Sequence, residues 1–233
     1  MIASELLQAG VDEFTRVFDA KLNETEGVIR SGGKPTKAYP NGEDEAWWRD
    51  NAPAMIQSWI TWRQQNANLH LWQTPEGQPA IELKVVSTVE VDGELVDLVG
   101  YIDRVFADEG ANSLLIVDLK TGKNAPMPLQ LAFYRRALKA TLGVDASYGA
   151  YWMARTGSLS PIHNLDQYSD DMIDHWVRLT YRGIRDQIFL PHLTNMCNYC
   201  GVKKHCYVFN PESKFSPVML ASHNQLDEGG SNV

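Results

Sequence analysis

Gly100-Tyr101-Ile102-Asp103-Arg104-Val105 and, a short loop later, Ser113-Leu114-Leu115-Ile116-Val117-Asp118-Leu119-Lys120-Thr121-Gly122 decide how this chain is read. The second run is almost wholly apolar up to Asp118, the composition of a strand buried within a sheet. Its apolar character stops at an acid, and a lysine follows two places on. Side chains two apart on a strand share a face, so Asp118 and Lys120 are expected to point into one cleft. Leu119 is expected to point away into the core, with its carbonyl still free to act as an oxygen donor. The same alternation places Asp103 on the face of Tyr101 and Val105.

Upstream, Ala80 to Val91 and Glu94 to Phe106 read as two strands rich in β-branched residues, joined at Asp92-Gly93. Asp-Gly is a preferred tight-turn pair because glycine accepts positive φ. Downstream, Leu129 to Leu142 has the spacing of a helix, with Leu129, Phe133, Ala137 and Ala140 toward the core and Gly143 ending it. Tyr148 to Ala154 is the next strand, followed by a shorter one near Ile162 to Leu165. Strand, helix and strand in that order imply a parallel pair, hence a mixed α/β sheet.

Three further helices are expected. Leu7, Val11, Phe14, Phe18 and Leu22 mark one over the first ~20 residues. Glu45 to Gln65 carries Trp48, Ala52, Met55, Ile56 and Trp59 on one side, with Pro53 at a first turn or a kink. Ser169 and Asp170 open the last, whose stripe is Ile173, Trp176, Val177, Thr180, Ile184 and Ile188. Residues 27–42 read as an exposed loop. Core packing is favoured over base stacking for most of Trp47, Trp48, Trp59, Trp62 and Trp72.

The whole chain has 233 residues, 44% of them apolar, which is enough for a sizeable core. A net charge of −8 argues against a protein that coats nucleic acid nonspecifically, yet leaves room for local basic patches. Lys120 with Lys123, Arg135 with Arg136 and Lys139, and Arg178 with Arg182 and Arg185 are such clusters, each readable as a solvated face or as phosphate contacts. No run of ~18 apolar residues could span a bilayer, and the start lacks the layout of a secretion signal. A cytoplasmic protein without a membrane partner is expected.

Two carboxylates, a main-chain carbonyl and an ammonium in one cleft have a specific chemical use. Mg²⁺ takes a few carboxylates and keeps room for water and phosphate, so Asp103, Asp118 and the Leu119 carbonyl form a candidate metal site. Lys120 is then placed to orient an attacking water or to stabilise charge on phosphorus. Gln130 and Tyr134, one helical turn apart, share a face from which each can hydrogen-bond phosphate, water or base. The competing reading is a surface hairpin whose Asp and Lys make ordinary ion pairs. Cys197, Cys200 and Cys206 are the only cysteines, an odd and tight cluster that suits metal better than disulfides.

Taken in order, Gly100-x-x-Asp103-Arg104, Ile116 to Gly122 and Gln130-x-x-x-Tyr134 resemble the successive motifs of the PD-(D/E)XK nuclease superfamily, specifically its RecB-like branch, which includes CRISPR-associated and phage exonucleases. The resemblance spans about Glu82 to Cys206. It implies a restriction-endonuclease-like mixed β-sheet flanked by helices, with a C-terminal cysteine-rich segment. It also implies Mg²⁺- or Mn²⁺-dependent cleavage of DNA, with single-stranded or free ends as substrate and recombination or CRISPR proteins as partners. Asp103 and Asp118 would be metal ligands, Lys120 the catalytic lysine, Gln130 and Tyr134 the helix motif, and Glu82 an accessory acid. Cys197, Cys200 and Cys206 look like the late cysteines of that branch's 4Fe–4S cluster, with zinc as the other occupant.

The branch usually has an earlier cysteine and a histidine, and neither precedes Cys197 or His70 here, so an N-terminal stretch is expected to be missing. Three parts are expected: a nuclease core over 1–190, a cysteine segment over 191–212 and a mobile tail over 213–233.

Overall fold

The computed structural model describes residues 3–27, 29, 33–108, 110, 112–188, 193–194, 197, 200–201, 203–206 and 208–209. The expected tail, and Phe189, Pro191 and His192 ahead of the cysteines, lie outside the described residues. The elements in order are α1 (Ala3–Glu24), α2 (Glu45–Gln65), β1 (Leu69–Leu71), β2 (Ile81–Val91), β3 (Glu94–Asp108), β4 (Ser113–Lys120), α3 (Leu129–Leu142), β5 (Tyr148–Met153), β6 (Ser158–Leu159), β7 (His163–Asn164) and α4 (Asp170–Arg185). Two compact units result, one of residues up to 88 with 97–173, the other of 89–96 with residues from 174 on.

The seven strands form one mixed sheet running β1-β3-β4-β5-β6, with β2 also on β3 and β7 also on β5. β3 and β4 are antiparallel, whereas β4 and β5 are parallel and joined through α3. In the first unit each face of the sheet has its own core. On one, Val85, Ile102, Val105, Ile116 and Tyr151 pack with Leu131 and Leu138 of α3. On the other, Phe106, Val117 and Trp152 pack with Trp59 and Trp62 of α2. The ring centroids of Trp59 and Trp152 are 5.2 Å apart, an edge-to-face contact that adds directionality to apolar burial.

Local sequence accounts for most boundaries. Asp44 caps α2 by accepting from the Trp47 N–H at 3.1 Å. Asp92 and Gly93 both have positive φ, 53° and 86°, so the hairpin closes through the mirror-image turn that Asp-Gly favours. Gly143, at φ 68°, ends α3 and returns its N–H to the Lys139 carbonyl. Pro53 sits in the interior of α2, beyond the first turn, where it supplies no N–H to the preceding helical turn.

Several faces differ from expectation. Ile102 and Val105 are both fully buried in the α3-side core, so alternation along β3 slips by one residue at Asp103-Arg104, while Tyr101 is 54% exposed. Asp103 therefore does not share a face with both Tyr101 and Val105. An irregularity of this kind re-aims a side chain, and such bulges recur beside active sites. In α3 the buried positions are Leu131, Ala132, Arg135, Ala137 and Leu138, whereas Leu129 and Ala140 are exposed. The stripe is rotated because Arg135 enters it, neutralised by Asp145 at 2.7 Å and Asp166 at 3.0 Å. In α4 only Ile173 and Val177 of the expected stripe are buried, and Ile184 and Ile188 are exposed.

The second unit is built around the hairpin tip. Arg182 and Arg185 grip Asp92, Tyr181 donates to Glu94, and Arg178 donates to the Glu90 carbonyl. Two basic clusters are thereby committed largely to internal partners, since Lys139 also pairs with Asp170 at 2.8 Å. Among the described residues no helix is long and apolar enough to cross a membrane.

Candidate active site

The site forms where β3 and β4 part. Their ladder runs from Asp108↔Ser113 to Arg104↔Val117 and stops there, while β4 stays paired with β5 as far as Lys120↔Met153. The next main-chain donor on the opened edge, Leu119 N–H, is taken by Asp103 Oδ2 at 2.6 Å. The Lys120 carbonyl accepts from Ala154 on the β5 side at 2.9 Å. Carbonyls alternate along a strand, so that of Leu119 faces the opening beside Asp103. The Leu119 side chain packs on the α2 side.

Asp118 lies opposite the α2-side core and is only 2% exposed. The Lys120 Nζ stands 2.6 Å from Asp118 Oδ2, so this buried oxygen is held by a single ammonium. Burial is the largest influence on Asp118 and pushes its carboxyl above the ordinary value of 3.8. Lys120 opposes that, and the charges of Asp103 and Glu82 add to it.

From Lys120 a chain of polar contacts leads into α3. Lys120 Nζ donates to Gln130 Oε1 at 2.9 Å, and Gln130 Nε2 donates to the Tyr134 hydroxyl at 2.8 Å. The Tyr134 ring rests against β3 at Gly100, where an added Cβ would stand 3.1 Å from Cε1. Burial pushes the Tyr134 hydroxyl up. Tyr151 of β5 supports Lys120 from below, with Nζ 5.7 Å from the ring centroid, and its own hydroxyl donates to the Met127 carbonyl and is pushed up by burial to about 12.

Thus Asp103, Asp118, Leu119, Lys120, Gln130 and Tyr134 come together. Glu82 is not drawn into direct contact with them: its side chain is 66% exposed and lies 3.7 Å from Arg104. Its φ of 49° is left-handed, a conformation that costs a non-glycine residue about 1–2 kcal/mol. Arg104 in turn donates to the Asp103 carbonyl at 2.5 Å. The three thiols are unbridged, and Cys197 Sγ accepts from the Thr194 N–H at 3.3 Å.

Among the described residues no group of three or more His, Cys, Asp or Glu side chains is arranged to hold a metal ion. The residues at the parted strands nevertheless fit a divalent cation. A buried carboxylate, a second aspartate close enough to repel it, and an outward main-chain carbonyl form an oxygen-only, anionic donor set. Two residues outside the expected set also belong here: Arg155 and Glu43, which hold the strand beyond Lys120. No local pattern marks either, for they lie far apart in the chain.

The chain is similar to the Gene 69 protein of Mycobacterium phage D29, with 30% identity over 199 residues, covering 76% of this chain and 70% of that protein. It is also similar to the crystal structure of SSO0001, with a TM-score of 0.42 and 16% identity, covering 70% of this chain and 78% of that one. Residues 3–207 match the PD-(D/E)XK nuclease superfamily, and the chain belongs to that superfamily.

Proposed function

We propose that this protein is a Mg²⁺- or Mn²⁺-dependent DNA exonuclease of the RecB-like kind, acting on phage or bacterial DNA in recombination, repair or CRISPR-type processing. One observation carries the reading: buried Asp118 lies 2.6 Å from the Lys120 ammonium, and Asp103 stands close enough to raise its carboxyl, where two strands part. Asp103, Asp118 and the Leu119 carbonyl would hold the cation, which supplies positive charge to the phosphate and acidifies water.

The chain's own groups do the rest. Gln130 fixes the direction of the Lys120 ammonium, whose remaining N–H bonds can orient the attacking water or meet a phosphate oxygen. Tyr134 fixes Gln130 and offers its hydroxyl to a phosphate oxygen or its ring edge to a base. Hydrolysis adds the water oxygen to phosphorus, breaks the bond to the leaving sugar oxygen and delivers a proton to that oxygen. Ends of DNA, single-stranded or frayed, are the substrate in this reading.

The second reading is a catalytically impaired DNA-binding or assembly module of the same fold, since no histidine precedes His70 to help bind the cation. End-labelled oligonucleotides incubated with Mn²⁺ separate the two. The nuclease shortens them, and Asp118→Ala and Lys120→Ala do not. The module only retards them in a gel. Equal cleavage by all three proteins defeats the site assignment. For Cys197, Cys200 and Cys206, thiolate chemistry and spacing support a 4Fe–4S cluster or zinc, tested by visible absorption and elemental analysis of protein purified without air.

A further inference from the structure

The end of β4 is held by residues outside every motif. Ala154, just past β5, donates its main-chain N–H to the Lys120 carbonyl at 2.9 Å, and the next residue, Arg155, donates Nε to the Thr121 carbonyl. Two successive carbonyls are therefore taken by two successive residues. The rest of the guanidinium is equally committed. Nη1 and Nη2 donate to Glu43 Oε1 and Oε2 at 3.0 and 2.7 Å, the two-pronged pairing of planar groups. Trp47 and Trp48 stack around it, with ring centroids 4.5 and 5.6 Å from the guanidinium carbon.

The side chains of Arg155 and Glu43 are only 15% and 9% exposed, and Lys123 approaches the same carboxylate at 3.6 Å. Burying an ion pair this deeply gives a fold little that apolar residues would not give as well. What apolar residues cannot supply is the bond to Thr121, one residue beyond Lys120.

We propose that Arg155 is a positioning residue for Lys120. Clamped by Glu43 and the two indoles, it pins the Thr121 carbonyl and so fixes the strand end from which the Lys120 ammonium meets Asp118 and Gln130. The consequence for cleavage rests on the nuclease reading; the pinning does not. Misplacing a reacting group by about 1 Å can cost on the order of 100-fold in rate.

The test uses the full chain with Arg155→Lys and with the double substitution Glu43→Gln, Arg155→Met. The double substitution removes both charges together and so leaves no unpaired buried ion. Amide hydrogen exchange at Lys120 and Ala154, whose N–H groups join the ends of β4 and β5, reads the pinning without any activity. DNA affinity in Ca²⁺ and the single-turnover rate in Mn²⁺ separate binding from chemistry.

In folded variants, exchange at those amides is expected to rise at least about tenfold, and the cleavage rate to fall about 10- to 100-fold, with DNA affinity within about twofold of wild type. Arg155→Lys keeps the charge but cannot make the planar fork, and is expected to behave like the double variant. Unchanged exchange in either folded variant overturns the proposal, as does raised exchange with cleavage at the wild-type rate. Raised exchange in a protein whose wild type never cleaves leaves the pinning standing and sinks the nuclease reading.

Discussion

Asp118 and Asp92 carry the same side chain and each stands beside cations, yet their surroundings drive them in opposite directions. Asp92, at the hairpin tip, receives Arg182 Nε at 3.0 Å and Arg185 Nη1 at 2.9 Å on one oxygen and Arg182 Nη2 on the other. Those hydrogen bonds hold its carboxyl down at about 2. Asp118 has one ammonium and another aspartate nearby, and burial pushes its carboxyl up. The first aspartate is spent on holding a turn to a helix. The second is buried with one cation and beside another acid, so its charge is less well compensated than that of the first.

The largest expected effect comes from Asp118→Asn. Metal-dependent cleavage should fall by about 10³-fold or more, while the melting temperature should change little, because burial already disfavours the charge that is removed and Lys120 keeps its bond to Gln130. A clear drop in melting temperature would place Asp118 with Asp92 as a structural residue and erase the contrast. Next, Lys120→Met should slow cleavage by about 100-fold while leaving Mn²⁺ affinity, read by electron paramagnetic resonance, largely intact. Lost Mn²⁺ binding would mean that the ammonium organises the carboxylates rather than the reaction.

A smaller effect sharpens the comparison from outside the site. Ser87, 1% exposed, has a hydroxyl with no hydrogen-bond partner. Ser87→Ala should gain about 1 kcal/mol in urea unfolding with cleavage unchanged, which would separate a buried polar atom of no use from one with a task. The smallest effect concerns Asp92→Asn. Its carboxyl lies below the ordinary 3.8 in the folded protein, so the unfolded chain binds its proton more readily. The stabilisation from Asp92 is therefore complete above about pH 4 and fades as pH falls toward 2. Asp92→Asn should melt below wild type at pH 7, and the two curves should converge near pH 2. A gap that persists there would assign the stabilisation to turn geometry rather than charge.

These contrasts follow the line between legible and illegible features. The bounds of α2 and α3, the Asp92-Gly93 turn and the parallel pairing of β4 with β5 were all readable, because caps, turn residues and periodicity act over a few neighbours. So was the sharing of one cleft by Asp118 and Lys120. The orientation of Asp103 was not. It depends on where β3 leaves β4 and on a slip in alternation that no residue in Asp103-Arg104 announces. The buried stripe of α3 was misjudged for a related reason: Arg135 reads as a solvent residue until Asp145 and Asp166 arrive from later in the chain.

By itself the sequence determined the longer elements, the sheet class and the family motifs, since each rests on local backbone preference or on side chains a few positions apart, while the short β1 and β6 carry too few residues to show a period. Tertiary structure alone decided that Arg182 and Arg185 hold Asp92, that Asp118 is buried against the Lys120 ammonium, and that Arg155 meets a glutamate 112 positions away. The physical reason is that charge and desolvation depend on distance in space. A linear pattern shows which groups are present, and only the fold shows which of them water can still reach.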